Sequence, residues 1–322
     1  MDPWRRPAFW LAFGLVAVGG LVPLVTRSAT LREDMFLLLM FVALASSLNI
    51  LLGYTGYVSF GHIVFFGLGG YVGFYLVSQQ GWLLWPAALC AGLATALLAA
   101  LLGLAILRLR GAYFALATIG INEAVRAFIN NFQPFGGPTG MSLNFAAFEA
   151  YGGAAAALWL VYGALVVLTI LVVAASFFVK GSRFGLGLLA IREDEDAAMV
   201  MGVRAPLAKT WAFALSAIVP GIVGALFFFK NGNVEPGDAF RLNMSIETIV
   251  MVMLGGQGLV VGPIVGAATY ERLRGFLLTN PLFKNLHLAF AGFLLLVIVL
   301  FVPNGLVGWL RGRFPRLRRV LE

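Results

Sequence analysis

Residues 35–56 read MFLLLMFVALASSLNILLGYTG, a run without a charged side chain from Met35 to Leu52 that closes in the cluster Gly53-Tyr54-Thr55-Gly56. A helix needs ~20 apolar residues to cross the hydrocarbon core of a bilayer, so this stretch has the length and character of a membrane span. Its apolar residues are continuous, whereas a barrel strand alternates lipid-facing and lumen-facing side chains. Lipid offers no water to satisfy stray backbone groups, and helix is the form that satisfies them within one segment.

Comparable runs occupy nearly the whole chain. Expected spans lie near Ala8 to Val25, Met35 to Leu52, Tyr57 to Val77, Trp82 to Leu107 and Tyr113 to Phe132. A second set follows near Ala154 to Val179, Trp211 to Phe229, Met244 to Leu254, Leu259 to Tyr270 and Leu286 to Leu310. The fold class is therefore an all-α integral membrane protein of about ten helices, two of them short or broken. Of 322 residues, 61% are hydrophobic and 11% charged, against about 25% charged in ordinary soluble domains. One membrane domain over residues 1–322 leaves no room for a soluble catalytic domain. The first apolar run, after Arg5 and Arg6, outlasts the ~7 to 15 residues of a signal peptide's core and is read as an uncleaved helix.

The formal net charge is +8, but the basic residues gather at span ends and in the tail, where anionic headgroups rather than nucleic acid are the natural partner. One side of the ten-span topology collects Arg5, Arg6, Arg108, Arg110, Lys180, Arg183, Arg192, Arg204, Lys209 and the arginines from Arg311 onward. The other holds Arg27, Arg32, Lys230, Arg241, Arg272, Arg274 and Lys284. Cytoplasmic loops retain Lys and Arg, so both termini, the loop 180–209 and the basic tail 311–322 are expected in the cytoplasm. The single cysteine, Cys90, provides no disulfide.

The two short spans flank Gly255-Gly256-Gln257-Gly258, and Gly53 to Gly56 precede Ser59, Gly61 and His62. Glycine-interrupted segments at corresponding points of two halves point to a transport site, because unwound backbone exposes polar groups only where protein or water surrounds it. Close helix packing alone would also use such glycines. Ionisable groups within spans are the next candidates. Glu123 and Arg126 share a helix face and can neutralise each other; with Asn122 and Asn130 they border a hydrated path or lock helices together. Glu247 either faces solute or, by position, favours a helix N-terminus. His62 is read as hydrogen-bonded rather than metal-bound, and no metal site is expected.

Ser59 and His62 raise an intramembrane serine hydrolase, but no G-x-S-x-G elbow surrounds Ser59. No G-x-x-x-x-G-K-[ST] loop occurs either. No cofactor is expected on this chain, and ATP chemistry would come from partner subunits. The segment Lys180 to Val203 can form a helix with a charged centre, Arg192-Glu193-Asp194-Glu195-Asp196, suited to a partner.

Ordered blocks resemble the LivM-type permease family of branched-chain amino acid ABC importers. They are Gly53-Tyr-Thr-Gly-Tyr-Val-Ser-Phe-Gly-His62 with Phe66-Gly67 and Gly70-Tyr71; Leu109 to Thr118 with Glu123; Gly136-Gly-Pro-Thr-Gly140; Ser182-Arg-Phe-Gly185; Ala190-Ile-Arg-Glu193 with Glu195, Ala197, Ala198 and Gly202; and Met253-Leu-Gly-Gly256 with Gly262, Pro263, Gly266 and Ala267. The resemblance implies a type II ABC-importer permease fold with two pseudo-related halves in the bacterial inner membrane. It further implies a similar second permease subunit, two cytoplasmic ATPase subunits and an extracytoplasmic solute-binding protein. A cytoplasmic helix in this family docks on the ATPase, a role that falls here to Ala190 through Gly202. Tyr57 stands where the family commonly has glutamine, which leaves urea, short amides or other small polar solutes beside branched-chain amino acids as cargo. Pathway candidates are Tyr54, Thr55, Ser59, His62, Asn122, Glu123, Glu247 and Gln257; coupling candidates are Arg192, Glu193, Asp194, Glu195 and Asp196. The rivals from the residues alone are an ion-coupled secondary transporter using Glu123 and Glu247, and a passive channel.

Overall fold

A computed structural model describes residues 7–143, 146–279, 289, 292–293, 296 and 305–313. Arg5, Arg6, Lys284, the arginines beyond Arg313 and most of the tenth expected span lie outside the described residues. Six helices among those described are long and apolar enough to cross a membrane. They are α1 (Pro7–Thr26), α2 (Ala29–Thr55), α4 (Leu84–Ile106), α5 (Ala112–Asn131), α7 (Ala154–Gly181) and α10 (Ala205–Asn231). Between them stands α3 (Ile63–Ser78), shorter and apolar. The remaining helices are α6 (Ala146–Glu149), α8 (Arg183–Glu193), α9 (Glu195–Val200), α11 (Pro236–Ala239), α12 (Leu242–Gly255), α13 (Val261–Thr279) and α14 (Gly305–Arg313).

Several helices depart from the expected spans. Gly53 does not break α2: the helix continues to Thr55 and ends where Gly56 turns left-handed at φ 77°, a conformation glycine adopts without a Cβ penalty. The third span is helical only from Ile63, residues 57–62 being irregular. The ninth is not short, for α13 has 19 residues and carries Glu271, Arg272 and Arg274 inside it. Residues 180–203 do not form one charged helix. Asp194 ends α8 and caps α9, its Oδ1 accepting from Asp196 N at 2.9 Å and Ala197 N at 3.0 Å, so its side chain competes with continuation of the helix. Lys180 and Lys209 are absorbed into α7 and α10.

α4 shows why these helices suit lipid. Its buried face is small, with Ala87, Ala88, Ala91, Gly92, Thr95, Ala99 and Gly103. Its outer stripe is Leu89, Leu93, Leu97, Leu101 and Leu104, each at least 54% exposed. Where hydrocarbon surrounds a helix, large apolar residues can face out while small ones let backbones approach.

The chain divides into two compact units. One comprises the described parts of Met1–Gly56, Thr169–Val203 and Ile246–Glu322. Here α2, buried from Leu39 to Thr55, packs against α1, α13 and α8. A Cβ on Gly255 would run into Gly262 O, and one on Gly266 into Met251 O, so glycine brings α12 and α13 into backbone contact.

The other unit comprises Tyr57–Leu168 and Arg204–Ser245, without the undescribed 144–145. Here α10 packs on α3 and α4 along a glycine seam. A Cβ on Gly69 would strike Gly221, and one on Gly224 would strike Phe66 O. Thr95 Oγ1 donates across the seam to Ala217 O at 2.9 Å. A two-strand ribbon, β1 (Met141–Ser142) against β2 (Asn233–Val234), pairs antiparallel beside the glycine motif. Gly136, Gly137 and Gly140 all have positive φ, which is the physical reason for the glycines of that motif.

Candidate functional site

In the second unit the candidate site is the irregular segment 57–62. Polar groups from helices hold Tyr57, Phe60 and His62. Phe60 N donates to Thr118 Oγ1 at 3.1 Å, and a Cβ on Gly61 would collide with Thr118 O, so the segment lies against α5 backbone. His62 Nε2 is 3.1 Å from Ser216 O; a carbonyl only accepts, so Nε2 carries the proton. Ile63 N, the first helical residue of α3, donates to Ser245 Oγ at 3.0 Å. Tyr57 anchors the start of the segment. Lys209 Nζ donates to Tyr57 OH at 2.8 Å and to Leu107 O at 2.7 Å, and Lys209 is 1% exposed.

Three pathway candidates of this unit carry buried polar atoms without partners. Ser59 is fully buried and its Oγ has no hydrogen-bond partner; His62 Nδ1 and Asn122 Oδ1 also lack one. Buried polar atoms without partners are uncommon and call for an explanation such as water or a transient ligand. Asn122 Nδ2 donates to Phe240 O at 3.1 Å. Ser59 Oγ makes no hydrogen bond to His62, so the nucleophile–base contact of a hydrolase is missing. Glu123 and Arg126 form the expected pair at 3.6 Å, but their side chains are 57% and 42% exposed. A polar depression of ≈ 490 Å³ is lined by Tyr75, Gln79, Gln133, Gly136, Gly140 and Ser142, among others.

In the first unit the two glycine clusters come together. Asn49 Oδ1 accepts from Gly258 N at 2.9 Å, and its Nδ2 donates to Leu259 O at 3.0 Å. Gly258, at φ 77°, lies so close to α2 that a Cβ would sit 2.9 Å from Gly53 O. Gln257 belongs to this same irregular stretch, residues 256–260. Arg192 reaches the cluster from α8, its Nη1 donating to Gly53 O at 2.7 Å. Glu193, Asp194 and Asp196 are exposed.

Tyr54 and Thr55 are committed elsewhere. The buried Tyr54 OH donates to Ser176 O at 3.0 Å, and Thr55 Oγ1 to Leu51 O of its own helix at 2.7 Å. Glu247 does not occupy a helix N-terminus: α12 starts at Leu242 and has no acidic residue in its first turn. Glu247 lies instead 3.9 Å from Arg274, which also bonds Glu271 at 3.2 Å.

Asn49, Thr118, Lys209, Ser216 and Ser245 were absent from the candidates. Asn49 had a signal, an amide in an otherwise apolar span, but it precedes the glycine cluster from which the candidates were taken. Lys209 read as a loop charge because the start of α10 falls six residues before the expected Trp211.

The family described as branched-chain amino acid transport system / permease component matches residues 33–299. The chain is 29% identical over 314 residues to the "High-affinity branched-chain amino acid transport system permease protein LivM" of Escherichia coli, covering 88% of this chain and 70% of the relative. The Salmonella typhimurium protein of the same description is 29% identical over 312 residues, covering 87% and 70%. A shorter match, 29% over 140 residues, covers 42% of this chain and 42% of the "Autoinducer 2 import system permease protein LsrC" of Photorhabdus luminescens. No solved structure matches the chain. Its apolar helices and the match across most of its length make this protein a member of the branched-chain amino acid transport system permease family, a transport component and not an enzyme.

Proposed function

We propose that this chain is the permease of an ATP-binding-cassette importer that moves branched-chain amino acids, or a related small polar solute such as urea or a short amide, across a bacterial inner membrane. The observation that carries the reading is the 29% identity to the LivM permeases over most of the chain. In this reading the two compact units act as one permease domain of about ten membrane helices with two pseudo-related halves. Both termini lie in the cytoplasm, as the distribution of Lys and Arg favours. A second permease subunit pairs with the chain, a matching role for the LivH relative that shares 27% identity over 138 residues. Two ATPase subunits and a solute-binding protein complete the assembly, and ATP is used by those partners.

Two features support the division of labour. The carboxylate of Glu123 sits mid-way along α5 and is more than half exposed. Hydrocarbon does not accommodate such a group, so this face of α5 borders water or another subunit and begins a polar path. That path continues with Asn122, Ser59 and His62; Tyr54, Thr55, Glu247 and Gln257 stand as further pathway positions. The second feature is the α8–α9 pair. Its exposed Glu193, Asp194 and Asp196 flank the exposed apolar tip Met199, Val200 and Met201, a surface suited to an ATPase subunit. Glu195 and Arg192 belong to the same coupling segment.

Uptake of labelled leucine, valine and urea into vesicles tests the proposal. The vesicles hold this chain, its partner permease, the ATPases and the binding protein, with and without ATP. ATP-dependent leucine uptake is expected; uptake by this chain alone without ATP would replace the importer with an ion-coupled transporter or channel.

A further inference from the structure

We propose that Arg192 is a positioning residue that links the coupling segment to both glycine clusters of the first unit, and not a charge presented to the ATPase. The inference rests on the reading of α8–α9 as the ATPase-facing segment. Arg192 occupies the last turn of α8 and is half-buried, while its neighbours Glu193 and Asp194 are exposed. Its guanidinium turns inward. Nη1 donates to Gly53 O at 2.7 Å, and a Cβ placed on Gly258 would sit 2.8 Å from the same nitrogen.

Gly53 O is a natural handle. It belongs to the last turn of α2, whose carbonyls have no amide of the next turn to accept from because Gly56 leaves the helix. A helix C-terminus also carries partial negative charge that favours a cation. One turn earlier on α2, Asn49 holds Gly258 N and Leu259 O with both ends of its amide. The end of α2 and the stretch joining α12 to α13 are therefore stapled together, and Arg192 grips the staple where the two backbones meet. A shift of α8 moves one object rather than two separate loops.

The outer end is equally rigid. Asp194 closes α8 by donating its backbone N–H to Ala190 O at 3.1 Å and opens α9 by accepting two amides on its side chain. Force applied to the exposed tip of α9 reaches Arg192 through two residues of backbone fixed by those bonds.

The test uses the full assembly in vesicles, with Arg192→Gln and Arg192→Lys. The relay predicts that Arg192→Gln keeps its ATPase subunits on purification and keeps hydrolysing ATP, while leucine carried per ATP falls about tenfold, a coupling loss of ~1.4 kcal/mol. Arg192→Lys, which retains the cation at the helix end, recovers part of that ratio. Loss of the ATPase subunits from Arg192→Gln, or an unchanged ratio, overturns the proposal. Should neither variant insert, hydrogen exchange on the wild-type assembly decides: protection of Arg183–Glu193 and of residues 256–260 must change together when a non-hydrolysable ATP analogue is added, and change in α8 alone overturns the link. A wild-type assembly that neither retains ATPase subunits nor uses ATP removes the ATPase-facing reading itself, a result distinct from a defect confined to the variants.

Discussion

Lys209 and Tyr57 are joined twice, by a hydrogen bond of 2.8 Å between Nζ and the phenol oxygen and by the ammonium standing 4.5 Å from the ring centroid. A buried ammonium needs acceptors, and Leu107 O at the end of α4 is another. Tyr57→Leu removes both the oxygen and the ring, and should lower stability by about 2 kcal/mol, the scale of a hydrogen bond to a charged group. Tyr57→Gln, which restores the residue usual in the resembling family, retains a carbonyl for Lys209 and should cost less than half as much. Thermal unfolding of the purified variants in detergent checks the order; equal losses would show that the oxygen is not what matters.

The seam of α3 and α10 leaves no space for a methyl group at Gly224, where a Cβ would meet Phe66 O and the neighbourhood of Gly70 N. Gly224→Ala should therefore destabilise by about 1–3 kcal/mol through overpacking and reduce the yield of folded protein. Gly163, in α7, has nothing within 4 Å of its Cβ position, so Gly163→Ala should be neutral or stabilising by up to ~1 kcal/mol. Melting temperatures of the pair, compared with wild type, separate packing from helix propensity.

Glu123 and Arg126 distinguish a path from a strut. An exposed ion pair contributes at most about 1 kcal/mol, so Glu123→Gln should leave the melting temperature nearly unchanged. If the α5 face borders the solute path, the same substitution slows uptake, and a tenfold loss would correspond to ~1.4 kcal/mol of transition-state stabilisation. Uptake and melting measured on one preparation give the answer. A stability loss without an uptake defect would make the pair structural.

Arg274 lies within reach of two carboxylates, Glu247 and Glu271, and Glu247 is only 6% exposed. Arg274→Met leaves both acids without that cation and should destabilise by about 3 kcal/mol or more, as broken buried ion pairs do. Glu271→Gln, which leaves one acid for one base, should be much milder. The double variant Arg274→Met with Glu247→Gln should recover part of the loss, and denaturation of wild type, the single variants Arg274→Met and Glu247→Gln, and the double measures that coupling.

Membrane helices and the family were legible in the residues because each depends on composition or on ordered local motifs. Helix ends were less so. Gly56, not Gly53, stops α2, since a glycine inside an apolar run looks the same whether it serves close packing or a left-handed cap. Asp194 divided a segment read as one helix, because one side chain bonding the amides of Asp196 and Ala197 outweighs propensity. Of the candidate site, Ser59, His62 and Asn122 keep buried polar atoms without partners in the second unit, whereas Tyr54 and Thr55 spend their hydroxyls inside the first. Asn49 and Lys209 escaped notice because their importance lies in partners far along the chain, Leu259 for one and Tyr57 for the other.

The bonds that hold both sites share a chemical habit. Arg192 ends on Gly53 O, Asn49 on Leu259 O, Asn122 on Phe240 O, His62 on Ser216 O and Lys209 on Leu107 O. Every one of those acceptors is a peptide oxygen, which survives whatever side chain its residue bears. Apart from Gly53, where a Cβ would strike Asn49, these acceptor positions are consequently free to drift in sequence without breaking the contact, and sequences of relatives should show the donors held fixed beside acceptor positions that vary, with no compensating exchange between the two.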